Sequence, residues 1–149
     1  MSDVQVKANE FLTELFTDLR FKLHVSAEKS DEGYLFDIKG DDVPLLLNES
    51  GEMLDALETI LFQIYGKEIE RTERFICDAD GFRKTRKAEL QAMARFAAQN
   101  VRKSGKPFTF GKLNGTERRV IHLTLQTETD LVTESVGEGR ERRLQVRLK

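Results

Sequence analysis

The chain has 149 residues, of which 39% are hydrophobic and 34% are charged, with a formal net charge of −2 at pH 7. This length fits one domain or two small ones, and no apolar run approaches the roughly 20 residues that a membrane-spanning helix needs. The N-terminal sequence lacks a basic region followed by an apolar one, and the single cysteine excludes an internal disulfide, so we expect a cytoplasmic protein without a secretory signal.

The first elements alternate between helical and strand patterns. Apolar residues recur at helical spacing over about residues 5–19, which predicts an amphipathic helix. Strict alternation over residues 21–28 and 34–40 predicts two half-buried strands, joined by a turn at 31–33. His24 lies on the polar phase of the first strand, so we expect it at the surface.

A second helix and a third strand complete the first unit. The helix ends at Gly66, and its predicted buried side consists of Leu54, Leu57, Leu61 and Ile64. The strand covers residues 73–79, where Cys77 alternates with Phe75 toward the core and is expected to be a buried thiol. The order of the first unit is therefore α-β-β-α-β.

A long helix opens the second unit. Asp80 is the predicted N-cap, and the helix runs to about Lys103, before Gly105 and Pro107. Its predicted inward side consists of Leu90, Met93, Ala94, Ala97 and Val101, and the basic residues of its first turns, Arg86 among them, are expected on the outside. A short strand follows with Phe108 and Phe110 on one face, which we interpret as core residues, although such a pair could also stack on bases.

A second helix and a hairpin close the chain. The helix begins at Gly115, and residues 131–136 and 141–148 form two strands connected by residues 137–140. The order of the second unit is α-β-α-β-β. We therefore predict the α+β class, with two small domains at 1–79 and 80–149 that each pack helices on a three-stranded sheet.

Charge is distributed unevenly between these two halves. Residues 1–79 contain 8 Lys and Arg against 18 Asp and Glu, a formal charge of −10. Residues 80–149 contain 16 Lys and Arg against 8 Asp and Glu, a formal charge of +8. This asymmetry indicates an anionic partner for the second half, although solvated charged faces alone could also produce it.

The segment NGTERRVIH concentrates cationic chemistry at a helix start. Asn114 is a favourable N-cap, and Glu117 can reach back to its backbone N–H. The predicted buried side of the helix consists of Val120, Ile121, Leu123 and Thr124. The opposite side groups four polar residues, Arg118, Arg119, His122 and Gln126.

This polar side has the chemistry of a phosphate site. The guanidinium of Arg118 offers a planar fork of donors, while His122, one turn away, can donate a hydrogen bond or stack on a base. An ordinary solvated helix face would look similar. Other cations that could extend the charged surface are Lys112, Arg83, Arg142 and Arg143.

The sequence also resembles a known bacterial family. ERRVIHLTLQ followed by TESVGEGRERRLQV resembles the R-3-H domain, named for its Arg-x-x-x-His signature. DVPLLLNESGEMLDALETILFQI and ERFICDADGFRKTRKAEL resemble the KH domain that precedes it in bacterial Jag (SpoIIIJ-associated) proteins. The resemblance covers nearly the whole chain and implies binding of single-stranded nucleic acid, most plausibly RNA, with Arg118 and His122 as the signature pair. Jag proteins often have a further N-terminal domain, and its functions are not carried over.

One loop departs from the family pattern. KH domains grip the nucleic-acid backbone with a Gly-x-x-Gly loop, but the corresponding residues here are Asn48, Glu49, Ser50 and Gly51. Asn48 could replace the first glycine by adopting a left-handed conformation. Glu49, however, places negative charge where a phosphate would lie. The KH-like unit could instead be a scaffold or a protein-interaction surface, with Ser50 as the N-cap of the following helix.

Three functional hypotheses follow. The first is a non-catalytic protein that binds single-stranded RNA or DNA through its basic C-terminal domain. The second is an adaptor whose acidic KH-like domain binds a protein partner or a second copy, with RNA binding secondary. The third, a nucleic-acid-processing enzyme, is disfavoured, because we identify no nucleophile–base pair, glycine-rich nucleotide loop, cofactor motif or metal-ligand cluster.

Overall fold

The chain divides into two compact units, with the boundary between Arg83 and Lys84. We describe a computed structural model that covers residues 2–149, apart from the side chain of Glu49. The predicted α+β class is confirmed, since each unit packs helices on a three-stranded sheet. With this boundary the formal charges remain −10 for the first unit and +8 for the second.

The first unit contains one short helix more than the predicted α-β-β-α-β order. Its elements are α1 (Asp3–Asp18), β1 (His24–Ser30), β2 (Gly33–Lys39), α2 (Val43–Leu46), α3 (Glu52–Tyr65) and β3 (Arg74–Ala79). Strand β2 pairs antiparallel with β1 and parallel with β3. A parallel pair needs a crossover connection, which α2 and α3 supply.

The core of the first unit lies between its helices and one face of the sheet. Leu12 and Phe16 of α1 pack with Phe36 of β2, and all three are at most 1% exposed. Cys77 is fully buried, and desolvation raises the pKa of its thiol above the usual range. Its burial was predicted, as was the exposed position of His24.

Helix α3 presents an apolar face wider than its contact with the core. Leu54, Leu57 and Leu61 are buried as predicted, but Ile64 is 49% exposed. Ile64 lies beside Met53 and Ile60 on the flank of the helix, just outside the arc that faces the core. These three residues form an exposed set that we call the α3 apolar stripe.

The turn after β3 differs from the prediction for its capping residue. Asp78, not Asp80, provides the carboxylate, because its Oδ1 accepts hydrogen bonds from the backbone N–H groups of Ala79 and Arg83. Asp80 adopts a left-handed backbone with φ of 51°, so it belongs to the turn that precedes the helix. At the other end, the N–H of Gly105 bonds to the Val101 carbonyl at 2.8 Å, as expected for a helix stop.

The second unit has the predicted α-β-α-β-β order. Its elements are α4 (Phe82–Ser104), within which the unit boundary falls, β4 (Phe108–Thr109), α5 (Gly115–Leu125), β5 (Leu131–Val136) and β6 (Arg143–Leu148). The sheet order is β4-β6-β5, with both pairs antiparallel. Both α4 and α5 contribute to the core, but Met93 is 36% exposed because it lies at the edge of the buried arc.

Candidate nucleic-acid interface

Helix α5 begins with the predicted capping box. The side chain of Asn114 accepts a hydrogen bond from the Glu117 N–H at 2.9 Å, and Glu117 Oε1 accepts one from the Asn114 N–H at 3.2 Å. Two of the backbone donors that a helix start leaves unpaired are thereby satisfied. The box fixes where the helix begins, and therefore which residues occupy each of its faces.

A buried ion pair connects the start of α5 to α4. Glu117 is 5% exposed, and its Oε2 accepts a hydrogen bond from Arg86 Nε at 2.6 Å. Burial opposes the charge on Arg86, but the hydrogen bonds and negative charges of Glu117 and Glu89 together outweigh it and raise the pKa of that guanidinium. We expected Arg86 on the outside of α4, so its ion pair with Glu117 was not predicted.

The ion pair explains which side of α5 is buried. Glu117, Ile121 and Leu125 follow one another at single-turn spacing, and all three are buried. The prediction that Leu123 is buried was wrong, since it is 51% exposed. Glu117 counts as polar in a periodicity argument, yet its pairing with Arg86 lets it occupy a core position.

The opposite side of α5 faces a shallow groove of about 420 Å³. We call it the arginine–histidine groove, and its walls come from α5, β5 and the segment around β6. Its lining residues are Gly115, Arg118, Arg119, His122, Thr133, Glu134, Ser135, Arg142 and Leu144. The structure thus brings both members of the Arg-x-x-x-His signature to one surface.

Hydrogen bonds hold the signature pair in place. Arg118 Nη1 donates to the carbonyl of Leu113 at 2.8 Å, which fixes one edge of the guanidinium and leaves its other donors for a ligand. His122 Nδ1 is hydrogen-bonded to Thr133 Oγ1, so Nε2 is the ring nitrogen left for a ligand. A fixed arginine fork beside a fixed imidazole is a suitable arrangement for a phosphate oxygen.

The register of the sheet explains why Thr133 meets His122. Thr133 lies opposite Val146 in the antiparallel β5–β6 pair, so both side chains lie on one face of the sheet. Val146 is fully buried in the core of the second unit. Thr133 therefore points toward the helices. No pattern in the sequence predicts its contact with His122 of α5.

The groove is predominantly cationic. Three arginines line it, Arg118, Arg119 and Arg142, and none of them forms an ion pair with a side chain that the structure describes. The one carboxylate in the lining, Glu134, accepts a hydrogen bond from Arg147 Nε at 3.0 Å, which offsets its charge. The groove can therefore attract an anion.

The remaining candidate cations and Gln126 lie outside this lining. Arg143 donates to the carbonyls of Arg140 and Arg142, and so supports the turn of the hairpin. Gln126 is the C-cap of α5, and both it and Lys112 are exposed.

Arg83 belongs to the first unit and is already paired there. Its Nη2 lies 2.8 Å from Glu58 Oε2 and 3.0 Å from Asp55 Oδ1, while its Nε donates to the carbonyl of Cys77. Although burial opposes the charge, these carboxylates raise the pKa of Arg83. Its position indicates that Arg83 stabilises the first unit.

The loop before α3 is built differently from the expectation. Ser50 and Gly51 adopt left-handed backbones with φ of 59° and 77°, whereas Asn48 does not, so the expectation for Asn48 was wrong. Gly51, not Ser50, is the N-cap residue of α3, and no side chain caps that helix. A Cβ on Gly51 would lie 2.5 Å from the ring of Phe82, so packing alone requires this glycine.

Among residues 2–149, leaving out the Glu49 side chain, no group of three or more His, Cys, Asp and Glu side chains is arranged to hold a metal ion. Within the same range, the helices are all too short or too polar to cross a membrane.

Comparisons with known proteins give the chain its family. Residues 88–148 match the R-3-H domain. An RNA-binding protein KhpB from Clostridium symbiosum is 30% identical over 148 residues, which is 98% of this chain and 67% of that protein. An RNA-binding protein KhpB from Bacillus subtilis (strain 168) is 28% identical over 140 residues, covering 93% of this chain and 67% of that protein. The chain therefore belongs to the KhpB, or Jag, family, and its second unit contains an R-3-H domain.

Proposed function

We propose that this protein binds single-stranded nucleic acid, with RNA as the main ligand, through the arginine–histidine groove. It does so without catalysis. The observation that carries the proposal is the convergence of Arg118, Arg119, His122 and Arg142 on one groove of a unit with a formal charge of +8. Two relatives are named as RNA-binding proteins, which supports RNA as the ligand.

The contacts follow from the chemistry of the lining. Arg118 and Arg119 donate to phosphate oxygens, for which a guanidinium fork is well matched. His122 donates from Nε2 to a phosphate or a 2′-hydroxyl, or stacks on a base. Arg142 contacts the backbone from the hairpin side of the groove. Most of these contacts are to phosphate and sugar, so they set affinity more than sequence preference.

We further propose that the first unit is a KH-like domain whose loop does not grip nucleic acid. The unit has a formal charge of −10, and Glu49 adds a carboxylate within the loop itself. The requirement for Gly51 is explained by Phe82, without a phosphate. Binding therefore depends on the second unit.

Salt dependence tests the proposed mode of binding. Three arginines that each neutralise a phosphate predict that the logarithm of the association constant falls with the logarithm of salt concentration at a slope of about −2, at about −0.7 per phosphate on a single strand. A fluorescence titration of labelled oligouridylate over a range of KCl concentrations measures this slope. A slope near zero would overturn the electrostatic account.

A second candidate function rests on the α3 apolar stripe. Met53, Ile60 and Ile64 are 44%, 36% and 49% exposed, and adjacent apolar exposure on one helix face favours a protein contact, for which we propose a second copy of this chain. Because each first unit carries the same negative charge, added salt should strengthen the association.

Sedimentation equilibrium tests this self-association. We expect Ile60→Glu to abolish it, while Gln63→Glu, at an exposed position of the same helix, leaves it intact. A wild-type protein that stays monomeric at high concentration in high salt would contradict this candidate.

A further inference from the structure

A second groove lies next to the arginine–histidine groove in the second unit. It has a volume of about 310 Å³ between α4 and α5, and we call it the α4–α5 groove. Lys87 and Gln91 form its α4 wall, while Arg119, Val120 and Leu123 are the main residues of its α5 wall. Arg119 lines both grooves, so the two adjoin at that side chain.

We propose that the α4–α5 groove holds the nucleotide next to those bound in the arginine–histidine groove, so that one single strand passes over Arg119 from one groove into the other. This inference rests on the proposed function. It adds Lys87, Gln91 and Leu123 to the nucleic-acid interface, and it lengthens the strand that the second unit covers.

The charges of the groove suit a phosphate backbone. Lys87 and Arg119 face it from opposite helices, and within residues 2–149 neither forms an ion pair. Among the described residues of the lining, none is acidic. A phosphate leaving the arginine–histidine groove thus stays close to Arg119 and meets one further cation, Lys87, and no carboxylate of the lining.

The floor of the groove suits a sugar or a base. Leu123 is 51% exposed, and Val120 is partly buried beside it, so the two offer an apolar surface. Leu123 lies one helical turn beyond Arg119, about 5.4 Å along the axis, which is of the order of the spacing between successive nucleotides in an extended strand. The Gln91 amide on the facing helix can donate to and accept from a base edge.

Oligonucleotides of two lengths distinguish this inference from the proposed function. Affinities would be measured for two oligouridylates, of about three and about nine nucleotides, with wild-type protein and the variants Lys87→Ala and Leu123→Ser. We expect both variants to weaken binding of the longer strand about 3- to 10-fold, the loss of a single contact, and to leave the shorter strand unaffected. Lys87→Ala should also reduce the magnitude of the salt slope for the longer strand by about 0.7. Lys103→Ala, in the last turn of α4, is the matched control and should behave as wild type.

Arg118→Ala distinguishes the possible failures. Arg118→Ala could weaken the binding of both oligouridylates while Lys87→Ala and Leu123→Ser bind the longer one like wild type. In that case the α4–α5 groove is not part of the interface and this inference is wrong. If Arg118→Ala changes neither affinity, the proposed function itself fails. Lys87 and Leu123 are solvent-exposed side chains, and circular dichroism of each variant confirms that the fold is retained.

Discussion

Replacing Glu117 with alanine is expected to lower the free energy of unfolding of the second unit by about 3 kcal/mol, because it leaves a partly buried guanidinium with only the exposed carboxylate of Glu89 as a partner and removes half of a capping box. Glu117 accepts hydrogen bonds from both Arg86 and the Asn114 backbone while it is 5% exposed. Its loss therefore affects the anchor of α5 to α4 and the start of α5 together.

Urea unfolding measures this effect when NMR signals from residues 84–149 are followed separately from those of the first unit. Glu89→Ala is the matched control, since Glu89 also lies 3.2 Å from Arg86 but its side chain is 57% exposed, and it should cost about 0.5 kcal/mol at most. A destabilisation by Glu117→Ala as small as that of the control would show that the buried pair is not the anchor of α5.

Replacing Arg118 with alanine is expected to weaken RNA binding about 10- to 30-fold. The fork of Arg118 makes charge-assisted hydrogen bonds, each worth about 1.5–3 kcal/mol, and about 1.4 kcal/mol corresponds to a factor of ten in affinity. The salt slope should also become shallower by about 0.7, because one fewer phosphate is neutralised. Fluorescence titration with labelled oligouridylate at several salt concentrations reports both quantities.

Two further variants show whether the fork or the charge of Arg118 matters. Arg118→Lys keeps the charge but not the planar fork, so it should retain the salt slope while losing part of the affinity. Arg95→Ala removes an exposed arginine of α4 that lines neither groove, and it should bind like wild type. Because Arg118 also donates to the Leu113 carbonyl, an unfolding titration of each variant must accompany the binding data. Equal affinity of Arg118→Ala and wild type would remove the signature arginine from the interface.

Local sequence signals predicted most of the fold. Alternation identified β1, β2 and β3, and the Asn114 and Glu117 pair located the start of α5 correctly, because a capping box is formed by residues three positions apart. The strand order of each sheet, by contrast, depends on contacts between residues that are distant in the chain. The same holds for the groove: α5 and β5 were each predicted from the sequence, but the contact between His122 and Thr133 that joins them was not.

The errors have a common physical cause. Periodicity assigned Leu123 to the core and ignored Glu117, because it counts residue polarity and does not see that Arg86 neutralises the buried carboxylate. Ile64 and Met93 were assigned to the core for a related reason, since an apolar arc can be wider than the surface that it contacts. Thr133 belongs to no sequence motif. Its role follows only from the strand register, which places it next to His122.

Photocrosslinking of bound RNA, followed by mass spectrometry of the modified peptides, tests the central claim most directly, since it examines both units in the same experiment. We predict that modified peptides come from α5 and from the β5–β6 hairpin, which together line the arginine–histidine groove. Crosslinks concentrated in the acidic first unit, at the loop of residues 48–51, with none in residues 84–149, would contradict the account.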